Sequence, residues 1–193
     1  MRPLLIVGAG GHGRAVAEAV LMGSDWALAG FVDDGWPGLR EVWGHPVIGS
    51  TDALASCRER AHCAIVAIGS NAVREALHRR LLEAGFELAT VIHPKALVSP
   101  RAKLGAGCAV MAGAIVGTEA VLGEGAIVNC GAIVDHHCRV EDFGHLGTGT
   151  CMAGGAVLGR GAWMQAGAAL GYGVQVAAGD VLPPGESRGL AVK

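Results

Sequence analysis

Residues 108–146 read CAVMAGAIVGTEAVLGEGAIVNCGAIVDHHCRVEDFGHL, and the period of that stretch decides the fold. Val110, Val116, Leu122, Val128, Val134, Val140 and Leu146 recur at every sixth residue. Extended both ways, the ladder runs from Ile92 to Leu182, sixteen aliphatic or Met positions without an insertion. A small residue stands two positions before most of them, as at Cys108, Ala114, Ala120, Ala126, Ala132 and Cys138. Glycine recurs three positions after, as at Gly113, Gly125, Gly131 and Gly149. Period six fits neither an amphipathic helix nor a coiled coil. It fits short strands joined by tight corners, three hexapeptides to a triangular coil, a known solenoid class with room here for about five coils. The aliphatic residue fills the interior, the small one lets the corner close, and glycine relieves the turn. Solenoids leave flat faces and open ends, so association with further copies is expected.

Residues ahead of the ladder follow another rule. A short apolar run, Leu4–Val7, meets Gly8-Ala9-Gly10-Gly11-His12-Gly13 and then a helical stretch from Arg14 to Met22. A second strand over Ala27–Val32 ends in Asp33-Asp34. Ser50 or Thr51 can cap a helix reaching about Arg60, and Ser70 or Asn71 one that stops near Gly85. Cys63–Ile68 and Leu88–Ile92 read as further strands. Strands alternating with helices predict a small parallel sheet of Rossmann type. The domains expected are therefore 1–92, Rossmann-like and α/β, and 93–193, a β-helix.

Gly8, Gly10 and Gly13 satisfy G-x-G-x-x-G between a strand and a helix, where backbone N–H groups can hold a phosphate. Asp33 could accept from ribose hydroxyls. A dinucleotide, a nucleotide-linked sugar and a purely structural turn all fit this loop. The domain is half of a dinucleotide fold and no hydride-transfer domain follows, which favours the nucleotide-linked sugar. The net charge of -2 carries no electrostatic footprint for nucleic acid. No signal-peptide pattern and no long apolar run is present, so a soluble cytoplasmic protein without a membrane partner is expected. The six cysteines show no CxxC pair, so reduced thiols filling small sites are expected rather than disulfides or a metal site.

One coil departs from plain corner residues. Asn129–His145 contains three of the eight histidines together with Asp135, Glu141 and Asp142. The fold requires none of these, whereas a general base and its orienting partner require such a cluster. A solvated polar corner is the bland alternative. A zinc site from Asp135, His136, His137 and His145 is disfavoured, because adjacent residues on an extended strand point to opposite faces. His136 and His145 are half a coil apart and could share a groove only at a corner or with a neighbouring subunit. An acyl-enzyme on Cys130 or Cys138 is disfavoured, since Cys138 takes an inward small position.

The stretches Gly8–Gly13, Phe31–Asp34, Val66–Arg74, Val91–Pro100 and Asn129–His145 together resemble the bacterial sialic-acid O-acetyltransferase-like hexapeptide-repeat family. Within it they are most similar to N-acetyltransferases of nucleotide-linked amino sugars, such as those of the UDP-N,N′-diacetylbacillosamine type. The resemblance implies a left-handed β-helix, a homotrimer and acetyl-CoA as cosubstrate, with no metal. It implies His136 as general base with Asp135 and His137 beside it. Gly10, Gly11 and His12 would contact substrate phosphates and sugar, Asp33, Asp34 and Gly69 the nucleoside, and Asn129 would lie one repeat from the base. His145, Ala166 and Ala178 would meet acetyl-CoA. The acceptor implied is a 4-amino-dideoxy sugar; O-acetylation of a sugar such as sialic acid, and a non-catalytic nucleotide-binding trimer, are the alternatives. Three places depart from the family. His137 stands where an acid usually orients the base, a role that Asp135 or Glu141 could take. One repeat is missing between about 166 and 179. The tail Gly189-Leu190-Ala191-Val192-Lys193 lacks the usual proline.

Overall fold

The computed structural model describes residues 1–189; the tail from Leu190 onward lies outside them. The chain divides into two compact units, Met1–Pro94 and Lys95–Lys193.

In the front unit, β1 (Arg2–Val7), β2 (Trp26–Val32), β5 (Cys63–Val66) and β6 (Glu87–Leu88) form one sheet in the order β2-β1-β5-β6. All three pairings are parallel. Central β1 buries Leu4 to Val7 completely, as an apolar run covered on both faces should. Helices α1 (Gly11–Met22) and α3 (Asn71–Glu83) connect the strands. Helix α3 ends as the sequence predicts. Gly85 takes φ 81°, its N–H donates to the Leu82 carbonyl at 2.9 Å, and the Phe86 N–H donates to the Leu81 carbonyl at 2.9 Å. That pair of bonds is a Schellman cap, and buried Phe86 seals it.

The middle of the unit differs from the sequence reading. The helix expected from 51 to 60 is a 3-10 turn, Thr51–Ala53, and a four-residue α2, Leu54–Cys57. Ser56 Oγ and Cys57 Sγ both donate back to the Ala53 carbonyl, and such local bonds compete with helix propagation. Ser50 and Ser70 precede their helices without a side-chain cap bond. A hairpin stands where the sequence announces none: β3 (Glu41–Val42) pairs antiparallel with β4 (His45–Pro46). Its two-residue turn has both φ values positive, at Trp43 and Gly44, as this connection demands. The run Leu88–Ile92 splits, with Leu88 ending β6 and Val91–Ile92 forming a separate short strand.

From Leu97 to Arg188 two-residue strands alternate with four-residue corners. Strands pair in parallel with those eighteen residues away, as Ile115 with Ile133 and Val121 with Arg139. Three sheets result. One stacks the strands at 109, 127, 145, 163 and 181, a second those at 97, 115, 133, 151, 169 and 187, and a third those at 103, 121, 139, 157 and 175. The inward ladder residues from Val110 to Leu158 are at most 1% exposed, and the small corner residues Ala114, Ala126, Ala132 and Cys138 are fully buried. Each inward Leu or Met contributes roughly 1.5–3 kcal/mol by leaving water. The pairings Val157–Gln175 and Trp163–Val181 carry the coil through 166–179 without a break, so the missing repeat leaves no irregularity there. Among the described residues no helix is long and apolar enough to cross a membrane.

Candidate active site

The front sheet reverses its strand order between β1 and β5, and open α/β sheets receive ligands outside the carboxyl ends at such a point. Two loops of this unit meet there, residues 8–13 and residues 67–71. Gly8 has φ 109°, and a Cβ on it would stand 2.9 Å from the Ala67 carbonyl oxygen. A Cβ on Gly13 would collide with the Gly8 backbone. These two glycines are demanded by packing. Gly10 and Gly11 are different: nothing lies within 4 Å of a Cβ at either. Both are exposed at the start of α1, which no side chain caps. An uncovered helix N-terminus favours an anion.

Asp33 braces this loop from below. Its Oδ2 accepts the Ala9 N–H at 2.7 Å and its Oδ1 the Gly35 N–H at 2.8 Å. Asp34 accepts the Thr51 N–H at 2.8 Å and lines a cavity of about 380 Å³ with Thr51, Ile68, Val73, Leu77 and Arg80. That volume suits a nucleoside. The residue that sequence reasoning passes over is Arg74. Its side chain is fully buried. The guanidinium donates to the carbonyls of Ile68 at 3.1 Å and Gly69 at 3.2 Å and to Asn71 Oδ1 at 2.9 Å, so it shapes the loop that carries Gly69. His12 Nε2 is buried and has no hydrogen-bond partner. Burial first, and the Arg74 charge second, push the rings of His12 and His78 down to about 4. Near neutral pH the His12 ring is therefore neutral, not a cation.

In the second unit His136 and His137 sit on the corner after the strand Ile133–Val134. The sequence reading sets them on a strand with rings on opposite faces. The turn brings the rings edge to face instead, 5.1 Å apart, with Nδ1 to Nδ1 at 2.9 Å. His137 has φ 58°, in the left-handed region where most corners of this repeat use glycine. A non-glycine residue there costs roughly 1–2 kcal/mol, and such strain concentrates at functional sites. The same φ occurs at Glu119, one coil before, and Glu119 Oε2 lies 2.8 Å from His137 Nε2. Sequence reasoning names neither Glu119 nor its pairing. Asp135 Oδ1 accepts the His136 N–H at 2.7 Å, and its Oδ2 stands 3.8 Å from His136 Nε2. Glu141 is at another corner, where its Oε2 accepts the Arg160 N–H at 3.3 Å; it does not orient His136. Gly154, one coil after His136, has no side chain to obstruct the ring, and a Cβ there would lie 2.5 Å from Nε2.

The other expected residues are spread around the coil. Asn129 is at the preceding corner, its Oδ1 accepting the Cys130 N–H at 2.8 Å. His145 lies on the sheet opposite the edge that carries His136, 7% exposed, and stacks on Trp163 at 5.4 Å. Ala166 is at the corner leaving strand 163–164, and Ala178 at the corner leading into strand 181–182. Within one chain the structure therefore unites Asp135, His136 and His137, and sets His145 with Trp163 on a different side. Among the described residues no group of three or more His, Cys, Asp or Glu is arranged to hold a metal ion. Cys138 is buried, its Sγ donating to the Ala153 carbonyl at 3.1 Å.

Residues 3–81 match the PglD N-terminal domain. The UDP-N-acetylbacillosamine N-acetyltransferase of Bacillus subtilis is 34% identical over 110 residues, 55% of this chain and 50% of that one, so the chain matches about half the length of that relative. The structure is similar to GDP-perosamine N-acetyltransferase from Caulobacter crescentus, solved as a histidine-to-alanine variant with CoA and GDP-perosamine. The TM-score is 0.85 at 37% identity, over 97% of this chain and 91% of that one. It is also similar to the acetyltransferase domain of PglB from Neisseria gonorrhoeae in complex with acetyl coenzyme A, with a TM-score of 0.76 at 35% identity over 97% and 96% of the two chains. A parallel β-helix bearing a histidine corner, a PglD-type front unit and this level of identity along nearly the whole length converge on one assignment: the chain belongs to the hexapeptide-repeat family of bacterial sugar acetyltransferases.

Proposed function

We propose that the protein transfers an acetyl group from acetyl-CoA to the amine of a nucleotide-linked amino sugar of the 4-amino-dideoxy type, with His136 as general base. The observation that carries this reading is the His136 corner. An imidazole stands clear over Gly154, its backbone is fixed by Asp135, and its neighbour His137 is a non-glycine residue in the left-handed turn where most corners of the coil use glycine. The relatives named for perosamine and bacillosamine support the substrate class. The front unit, 1–92, would hold the nucleotide: phosphates at Gly10, Gly11 and neutral His12, and the nucleoside toward Asp33, Asp34 and Gly69. The β-helix, 93–193, would carry the chemistry.

In the reaction the sugar amine attacks the thioester carbonyl. The C–N bond forms, and the amine proton passes to His136 Nε2. As the C–S bond breaks, that proton can pass on to the departing sulfur, giving CoA thiol. Neutral imidazole suits this exchange near pH 7. His145, or a backbone N–H near Ala166 or Ala178, would donate to the oxyanion, and Asn129 would orient the acceptor. Because the His136 edge and the His145 sheet lie on opposite sides of one chain, both can act together only if a corner of one copy meets a face of another. The exposed apolar residues Leu97 and Ile115 on the neighbouring sheet support association of copies; the assembly would be a homotrimer, in the cytoplasm.

The test is release of free thiol on incubation with acetyl-CoA and a panel of UDP-, dTDP- and GDP-linked 4-amino sugars. Turnover of at least one, abolished in His136→Ala, is expected. No turnover with any of them, or faster turnover of a free sugar hydroxyl, overturns the reading.

A further inference from the structure

We infer that Glu119 and His137 form a two-membered relay that sets the tautomer of His136. The inference rests on the proposed role of His136 and adds a positioning residue, Glu119, from the neighbouring coil.

The direction of the relay follows from donor and acceptor chemistry. Glu119 as a carboxylate only accepts. At 2.8 Å from its Oε2, His137 Nε2 must therefore carry the hydrogen. A neutral imidazole with Nε2–H has a lone pair on Nδ1. His137 Nδ1 stands 2.9 Å from His136 Nδ1, so His136 Nδ1 carries the hydrogen and donates it. That leaves the lone pair of His136 on Nε2, the atom above Gly154 that must take the proton from the amine. When Nε2 is protonated, Asp135 Oδ2 at 3.8 Å faces the new charge, while the Nδ1–H bond passes part of that charge toward His137 and Glu119. The other tautomer of His136 would place two lone pairs against each other at Nδ1 and leave Nε2 protonated and unable to act.

The backbone supports the pairing independently. Glu119 and His137 occupy the same corner position in successive coils, both at φ 58°. Among the described residues of the coil, the remaining non-glycine residue with positive φ is Phe143. Two residues that glycine would replace without strain are retained side by side, and their side chains bond to each other. Simple packing does not call for this, since the two side chains are 54% and 60% exposed.

The experiment compares the wild type with Glu119→Gln, His137→Glu and the double variant, all as the full chain. Imidazole ¹⁵N spectra should show His136 protonated at Nδ1 in the wild type. In Glu119→Gln, whose amide can donate as well as accept, they should show mixed tautomers. Spectra unchanged by Glu119→Gln overturn the relay whatever the substrate proves to be. With an amino-sugar acceptor, Glu119→Gln should lower kcat by about tenfold at nearly constant KM for acetyl-CoA, the mark of an interaction made in the transition state. In His137→Glu the acid acts directly on His136, so adding Glu119→Gln should cost nothing further. Losses that multiply in the double variant mean that Glu119 serves only the fold, and overturn the relay. A tautomer shift in a protein that acetylates no amino sugar leaves the relay standing and removes the proposed function instead.

Discussion

Replacing Gly154 with alanine isolates the position of the His136 ring from everything else in the coil. A Cβ at 154 would lie 2.5 Å from Nε2 and 3.1 Å from Nδ1, against about 3.4 Å for ordinary contact. The ring must therefore retreat by about 1 Å, and a misplacement of that size in a reacting group costs on the order of 100-fold in rate. The fold should not suffer. Gly154 has no left-handed φ, and the atoms in the way belong to a half-exposed side chain that can rotate. Alanine at such a site typically stabilises by roughly 0.4–1 kcal/mol through the unfolded chain. Its neighbour supplies the control. Gly155 has φ 72° and nothing within 4 Å of a Cβ, so Gly155→Ala should destabilise by about 1 kcal/mol and leave the ring in place. Thermal melts and steady-state kinetics on the two variants should thus show opposite patterns: one stable and slow, the other less stable and active. A Gly154→Ala enzyme whose kcat stays within a factor of about three of the parent would refute the placement of the base.

Acid should weaken the front unit. His12 and His78 titrate near 4 when folded, against 6.5 for an unperturbed histidine in the unfolded chain. Above about 6.5 both rings are neutral in either state, while below it the unfolded chain binds protons that the folded chain refuses. Stability therefore falls as the pH drops from about 6.5 to 4, by roughly 2 kcal/mol at pH 5 for fully buried His78 and less for half-buried His12; urea midpoints that coincide at pH 7.5 and 5 would contradict this. Arg74→Met strips the Ile68 and Gly69 carbonyls of their donor, at a cost of about 1–3 kcal/mol. It should also raise the titration of both histidines, and NMR curves that do not move would show that Arg74 does not act on them. Met164→Ala removes a fully buried interior side chain of the coil and should cost about 2–5 kcal/mol; a loss under about 1 kcal/mol in a denaturant titration would mean that the interior collapses around the gap.

Much of this molecule is legible because the dominant signals are local. Each inward residue of the ladder, from Val110 to Leu182, lies where period six puts it, since one insertion would turn a large side chain outward. Gly85 is readable as a cap for the same reason: the need for positive φ is a property of one residue. Where two local rules compete, the sequence misleads. Residues 54–57 have helix-compatible side chains, yet Ser56 and Cys57 bond to the Ala53 carbonyl and the helix does not continue. The hairpin at 41–46 is hidden because its turn begins with Trp43, whose bulk gives no turn signal. Asp33 reads as a ligand residue by analogy with dinucleotide folds, and the structure adds a local role that the sequence does not show: each of its oxygens accepts a backbone N–H group of its own unit.

The candidate active corner is half legible, and the missing half follows a second period. Clustering along the chain singles out Asp135, His136 and His137, but the partners that shape them stand eighteen residues away, because three hexapeptides close one turn of the coil. Glu119 pairs with His137. His136 lies over Gly154. His145 stacks on Trp163, and Asp142 holds Arg160 at 2.8 Å. Each pair is separated by one coil, and none shows in a window of six. In a solenoid the six-residue period governs burial, since it decides which side chains face inward, while the eighteen-residue period governs chemistry, since it decides which outward side chains meet. A charged residue at a corner where glycine is the rule is therefore best read together with the residue one coil before and one coil after. Applied to His137, that reading gives Glu119 and Gly155, an acceptor on one side and open space on the other. This is the environment a positioned imidazole requires, and no residue adjacent in sequence supplies it.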